Sequence, residues 1–117
     1  NIIDLFFNTN EQFLENILIE IKNNCLSKKI IFLGITFKPE SDDLRGSVSY
    51  ELCKKLKIEG FEVYIVEPNI PDKAIDENTY SYEDIKEESN YVIIGTNHKE
   101  FKKYDFKDKE VLKIGNK

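Results

Sequence analysis

Two short stretches constrain the fold more than any others: KIIFLG, from Lys29 to Gly34, and NYVIIGT, from Asn90 to Thr96. Each is a continuous apolar run ending on a glycine. A strand that is apolar on both faces must be covered on both sides, which is the condition of a parallel sheet packed between helices. FEVYIV (Phe61 to Val66, closed by Glu67 and Pro68) and EVLKI (Glu110 to Ile114) supply two further strands. ENTYS, from Glu77 to Ser81, is expected as one more short strand.

The segments between them read as helices or turns. Ser47 is placed to cap a helix that carries Val48, Leu52, Cys53 and Leu56 on one face and ends at Gly60. YEDIKEES reads as a short polar helix, and HKEFKKYDF as a turn of helix or irregular structure. Near the start, Asn10 can cap a helix in which Phe13, Leu14, Ile17, Leu18 and Ile21 recur at steps of three and four, ending near Asn24. Strands alternating with helices at this spacing predict an α/β fold, a three-layer doubly wound parallel sheet of Rossmann-like type. Ligands of such a fold lie beyond the carboxyl ends of the strands.

Composition narrows the function classes. At 117 residues the chain has the size of one domain, 40% hydrophobic and 33% charged, as in ordinary globular proteins. Its net charge of −5, with Lys and Arg scattered among acids, argues against nucleic-acid binding. No apolar run reaches the length of a membrane span. Cys25 and Cys53 lack the CxxC spacing and fall in helical patterns, so they read as buried free thiols of a reducing cytoplasm. With one histidine and no cysteine cluster, a zinc site is not expected.

The chemistry concentrates in GITFKPESDDLRGS, Gly34 to Ser47. Gly34 follows a strand as in dinucleotide-binding folds, but the second glycine of GxGxxG is missing, which argues against an autonomous NAD site. Pro39 restricts Lys38 to extended backbone and so aims its ammonium, which suits a phosphate or sugar oxygen. Phe37 can stack on a base or fill the core. Asp42 and Asp43 can bind Mg²⁺, act as paired carboxylates or fold back on Arg45, and the last is preferred. Arg45, beside a helix N-terminus, can grip a phosphate with two parallel hydrogen bonds. Glu67 sits where a ribose-binding acid would stand, or is a solvated turn residue. His98, in TNHKEF, is expected to serve a turn or cap.

GITFKPESDDLRGS, a helix, FEVYIVEPNI and then TNHKEF together resemble the C-terminal domain of the UDP-glucose/GDP-mannose dehydrogenase family, the nucleotide-sugar 6-dehydrogenases. The resemblance covers about Lys28 to Val111, and VEPNI is similar to the UDP-N-acetylmannosamine dehydrogenase branch. It implies a nucleotide-sugar-binding domain at 28–117. Residues 1–27 would be an N-terminal helical segment, the end of the central helix through which such enzymes dimerise. Phe37 and Lys38 match the pair that contacts the UDP-sugar, Arg45 matches the arginine reaching the NAD held by the N-terminal domain, and Asp42 and Asp43 match the acids ordering the loop. Family members oxidise the sugar C6 alcohol twice with two NAD⁺ through a thioester on a cysteine. That cysteine lies in a glycine-rich motif whose surroundings neither Cys25 nor Cys53 has. No catalytic residue is therefore assigned, and the chain alone is expected to be inactive.

The resemblance also implies a cytoplasmic homodimer making uronic acids for surface polysaccharide. Gly46 and Val48 depart from the family's usual Glu and Pro. The substrate-binding arginine near the end has no match: Lys113 or Lys117 replaces it, or it lies beyond residue 117. UDP-glucose and GDP-mannose 6-dehydrogenases remain alternatives for the sugar. From other classes, a receiver-like regulatory domain with an acidic pair for Mg²⁺ and a purely structural oligomerisation module stay open.

Overall fold

A computed structural model describes residues 2–6, 12–71 and 78–115. Its elements are β1 (Ile2–Phe6), α1 (Gln12–Asn24), β2 (Lys29–Leu33), α2 (Val48–Ile58), β3 (Glu62–Val66), α3 (Tyr82–Ile85), β4 (Tyr91–Ile94), a 3-10 turn (Lys99–Lys103) and β5 (Glu110–Gly115). The strands form one sheet in the order β1-β5-β4-β2-β3, and every neighbouring pair is parallel.

The side-chain alternation of each strand divides the core into two. On one face Ile30, Phe32, Ile65, Ile93, Leu112 and Ile114 pack under α1 and α2 through Ile17, Leu18, Ile21, Leu52, Cys53 and Leu56. On the other, Ile31, Leu33, Val66, Val92, Ile94 and Val111 pack against Tyr82, Ile85 and Phe101. Ile30 to Leu33 are fully buried in succession, which is why the sequence shows a run instead of an alternation: the middle strand has no solvent face. Burying each such side chain contributes about 1.5–3 kcal/mol. This is the expected three-layer, doubly wound sandwich.

Local signals set the helix ends. The Ser47 hydroxyl accepts from Tyr50 N–H at 3.1 Å and so caps α2. After Glu59 the chain turns at Gly60, where Gly60 N–H bonds Lys57 C=O at 3.1 Å and Phe61 N–H bonds Leu56 C=O at 3.0 Å. Asn10, the expected cap of α1, lies outside the described residues, as do Lys117 and part of ENTYS. Of ENTYS, Thr79 makes an isolated parallel bridge to Ile65 and Ser81 caps α3, so this stretch supplies a bridge and a cap where a strand was expected.

One expectation is corrected at the start of the chain. Ile2–Phe6 is no part of a helical segment: it is an edge strand in parallel register with β5, Ile2 against Val111 through Phe6 against Gly115. Its apolar composition is that of a strand. α1 also shares a hydrophobic core with β2 and α2. Among the described residues no helix is long and apolar enough to cross a membrane.

Candidate functional site

From β2 the chain passes through α2 to β3 on one side, then returns through α3 to β4 on the other. The direction of winding therefore reverses between β2 and β4, and the crevice at their carboxyl ends is the topological switch point. The two exits approach closely. A Cβ on Gly34 would lie 1.9 Å from the Thr96 carbonyl oxygen, and one on Gly95 would lie 2.5 Å from the Phe32 ring. Gly34 also has φ +85°. Glycine is required there by backbone packing, and the room a pyrophosphate would need at Gly34 is filled by the protein's own Thr96. These residues do not fit NAD at the β2 exit.

Three strand exits converge on one buried carboxylate. Glu67, with its side chain 0% exposed, accepts from Ile35 N–H at 2.8 Å and from Asn69 N–H at 2.9 Å. His98 Nε2 stands 3.1 Å from it. His98 is 1% exposed, and its Nδ1 accepts from Glu40 N–H at 3.0 Å. A backbone N–H can only donate, so the ring proton sits on Nε2, facing Glu67. Both expectations for Glu67 are thereby corrected: it is neither solvated nor free to hold a ribose. His98 does precede the 3-10 turn, but its side chain does not cap it. Around this pair Ser47 Oγ donates to Ile35 C=O (2.7 Å), and Thr96 Oγ1 donates to Thr36 C=O (2.6 Å). Among the described residues every fully buried side-chain polar atom has a partner, as burial in low dielectric demands.

On this base stands the loop that carries the expected ligand residues. Phe37 N–H bonds Asp43 C=O at 2.7 Å and closes the loop. Thr36 Oγ1 donates to Lys38 C=O at 2.9 Å. Phe37 is 53% exposed, which is high for a phenylalanine, with its ring lying against Gly46. Lys38 is exposed and makes no ion pair among the described residues. Asp43 accepts from Arg45 N–H (2.9 Å), Nε (3.0 Å) and Nη2 (3.0 Å). This bidentate hydrogen bonding to Arg45 holds the Asp43 carboxyl below its usual range and raises the guanidinium in turn. The fold-back preferred from sequence is thus made by Asp43 alone. Asp42 is exposed and takes no part in it. The Arg45 side chain is 92% exposed and projects outward.

Phe37, Lys38 and Arg45 therefore share one exposed loop at the carboxyl end of the sheet. A cavity of about 440 Å³ beside the β3 exit is lined by Glu67, Pro68, Ile70, Thr79, Tyr80 and Tyr104 among others. Another of about 440 Å³ lies at the opposite end of the sheet, among Asn24 to Ser27, Glu87 to Tyr91, Asp108 and Glu110. That second lining holds four carboxylates and no cation, which repels a diphosphate. Electrostatics favours the carboxyl-end loop. Sequence reasoning missed the Glu67–His98 pair, although its signal was present: Glu67 directly follows the apolar strand β3 and His98 comes four residues after the end of β4, and parallel strands bring such exits together.

Comparisons with known proteins agree with this geometry. Residues 31–115 match the model of the UDP-glucose/GDP-mannose dehydrogenase family, UDP binding domain. The UDP-glucose 6-dehydrogenase of Gallus gallus is 32% identical over 74 residues, covering 63% of this chain and 15% of that enzyme. The UDP-N-acetyl-D-mannosamine dehydrogenase of Campylobacter jejuni is 35% identical over 85 residues, covering 65% and 20%. A GDP-mannose dehydrogenase from Pseudomonas aeruginosa, solved as a ternary complex, superposes with a TM-score of 0.74 at 20% identity, over 92% of this chain and 29% of that one. That likeness shows the fold. The chain spans about a fifth or less of the length of the curated relatives it matches. A family match over most of the chain, on a sheet of the same architecture, places this protein in the UDP-glucose/GDP-mannose dehydrogenase family, by way of its UDP-binding domain.

Proposed function

We propose that this chain is the nucleotide-sugar-binding C-terminal part of an NAD-dependent UDP-sugar 6-dehydrogenase of the UDP-N-acetylmannosamine type. The parent enzyme oxidises the sugar C6 alcohol to a carboxylate for surface polysaccharide, as a cytoplasmic homodimer. One observation supports the binding role above the rest: the Gly34–Ser47 loop is hydrogen-bonded at its base yet leaves Phe37 and Lys38 exposed at the carboxyl ends of the strands. An exposed aromatic ring suits a base or sugar face, and an exposed ammonium with no ion pair among the described residues suits a diphosphate or a sugar oxygen.

The division of labour follows from what the chain lacks. Cys25 and Cys53 are buried free thiols out of reach of a substrate, and burial also raises the Cys25 pKa, which keeps it a thiol. The nucleophile and the NAD site belong to the rest of the parent. The filled β2 exit and the saturated Glu67 support that assignment. Arg45 points out of the domain toward whatever stands opposite and is the residue proposed to reach NAD across the cleft. Asp43 orders it, and Asp42 lies in the same loop.

Calorimetric titration of this chain with UDP, UDP-sugars and NAD⁺ tests the reading. UDP should bind weakly, because the chain supplies one wall of the cleft. Lys38→Ala should lower that affinity about tenfold, and NAD⁺ should give no heat. Equal UDP binding by Lys38→Ala and wild type would remove the basis of the assignment.

A further inference from the structure

Lys38, Pro39, Glu40 and Ser41 form a turn closed by Ser41 N–H on Lys38 C=O at 3.2 Å. Proline holds its second position, and the third, Glu40, has φ +64°. This sign pattern is that of a type II turn, whose third place ordinarily goes to glycine. With glutamate there, the competing type I form, with the 39–40 peptide turned over and φ negative, should be preferred. Something outside the turn tilts the choice. The group that would swing away is Glu40 N–H, and it donates to His98 Nδ1.

Two further contacts fasten the same turn. The Glu40 carboxylate accepts from Lys99 N–H at 2.7 Å. Asn69 Nδ2 donates to Ser41 C=O at 3.2 Å and lies 3.3 Å from His98 Nδ1. The imidazole itself cannot rotate freely, because Glu67 holds its Nε2–H, and Glu67 is fixed by the backbone of Ile35 and Asn69.

We propose that His98 and Glu67 are positioning residues for the ligand loop. The buried carboxylate keeps the imidazole in its Nε2–H form, and the bare Nδ1 selects the type II turn at Lys38–Ser41 and pins it to the exits of β3 and β4. That fixes the platform from which Lys38 projects. The proposal rests on the reading of Lys38 as a UDP-sugar contact. His98 is buried beneath the loop and touches no ligand.

The test has one arm without ligand and one with it. In the free chain, nitrogen NMR of the ring should show Nδ1 bare and Nε2 protonated, and the Glu40 amide should exchange slowly although its side chain is half exposed. His98→Ala should speed that exchange about a hundredfold while leaving Ile31 and Ile93 unchanged. His98→Asn, whose Oδ1 occupies the place of Nδ1, should restore much of the protection, and it serves if the alanine variant does not fold. A protonated Nδ1, or Glu40 exchange indifferent to both substitutions, overturns the proposal.

With UDP as the probe, His98→Ala should weaken binding about tenfold, the factor expected if the competent platform is populated a tenth of the time. In a Lys38→Ala background the same change should cost less than about twofold, because the residue it serves is gone. A full tenfold loss in both backgrounds would mean a general structural role and would overturn the positioning claim. Identical UDP binding by wild type and Lys38→Ala would instead sink the ligand reading, with the exchange and ring-nitrogen results still deciding whether His98 holds the turn.

Discussion

Gly34→Ala isolates the close approach of β2 and β4 that shapes the crevice. The added Cβ would meet the Thr96 carbonyl oxygen at 1.9 Å and its carbon at 2.8 Å. Backbone is the obstacle, so no side chain can swing clear. To reach ordinary contact the two exits must part by about 1.5 Å, in a region packed as tightly as a crystal. Parting strains Gly95 N–H to Leu33 C=O (2.8 Å) and Thr96 N–H to Gly34 C=O (3.1 Å), at about 1 kcal/mol each. The left-handed backbone of alanine at φ +85° adds about 1 kcal/mol, and residual overpacking about 1–3 kcal/mol. The expected loss is about 4–6 kcal/mol, a large part of the roughly 5–15 kcal/mol that stabilises a domain. Gly60→Ala is the reference, since Gly60 has φ +94° but nothing within 4 Å of the added methyl, and only the backbone cost of about 1 kcal/mol applies. Urea unfolding of both variants, compared at constant slope, gives the difference. If Gly34→Ala costs no more than Gly60→Ala, the two exits are not in the contact described.

Three further outcomes follow from the same structure. Glu67→Gln sets an amide donor against Asn69 N–H or His98 Nε2–H, and should cost about 2–4 kcal/mol in urea unfolding; a neutral result would mean that the carboxylate is not the shared acceptor of three strand exits. Because hydrogen bonds from Arg45 lower the Asp43 pKa, the pair contributes stability above the ordinary carboxyl value of 3.8 and loses it as pH falls through the depressed one. Carbon NMR should place the Asp43 midpoint below 3.8 and Arg45→Ala should raise it toward that value, the backbone N–H of residue 45 remaining, and an unchanged midpoint would deny the bidentate contact. Both thiols should resist alkylation at neutral pH until the chain unfolds, since Cys25 and Cys53 are buried; prompt labelling of either would show its core to be open.

Much of the architecture was legible because burial writes itself into composition. Ile30 to Leu33 and Tyr91 to Ile94 are apolar throughout since both sheet faces are covered, and Ser47 and Gly60 bracket α2 through local hydrogen bonding that needs no tertiary partner. β1 was not legible as a strand. Its pairing partner is more than a hundred residues away, and NIIDLFF carries no local mark that separates a docked terminus from an edge strand. In the candidate site, the Asp43–Arg45 fold-back could be anticipated, since two residues of opposite charge in one tight loop meet by geometry alone. The roles of Glu67 and His98 depended on which strands are neighbours, and so on topology. Gly34 was rightly seen to follow a strand, but its physical reason, the Thr96 backbone, lies 62 residues further on.

The proposed role places a diphosphate-bearing sugar at the carboxyl-end loop of this domain. Amide NMR of the chain under increasing UDP measures this directly. Saturable shifts are expected at residues 34–47 and 96–99, abolished or strongly weakened by Lys38→Ala. Shifts centred instead on residues 24–27 and 87–91, at the acidic opposite end, or a spectrum unmoved by excess UDP, would contradict it.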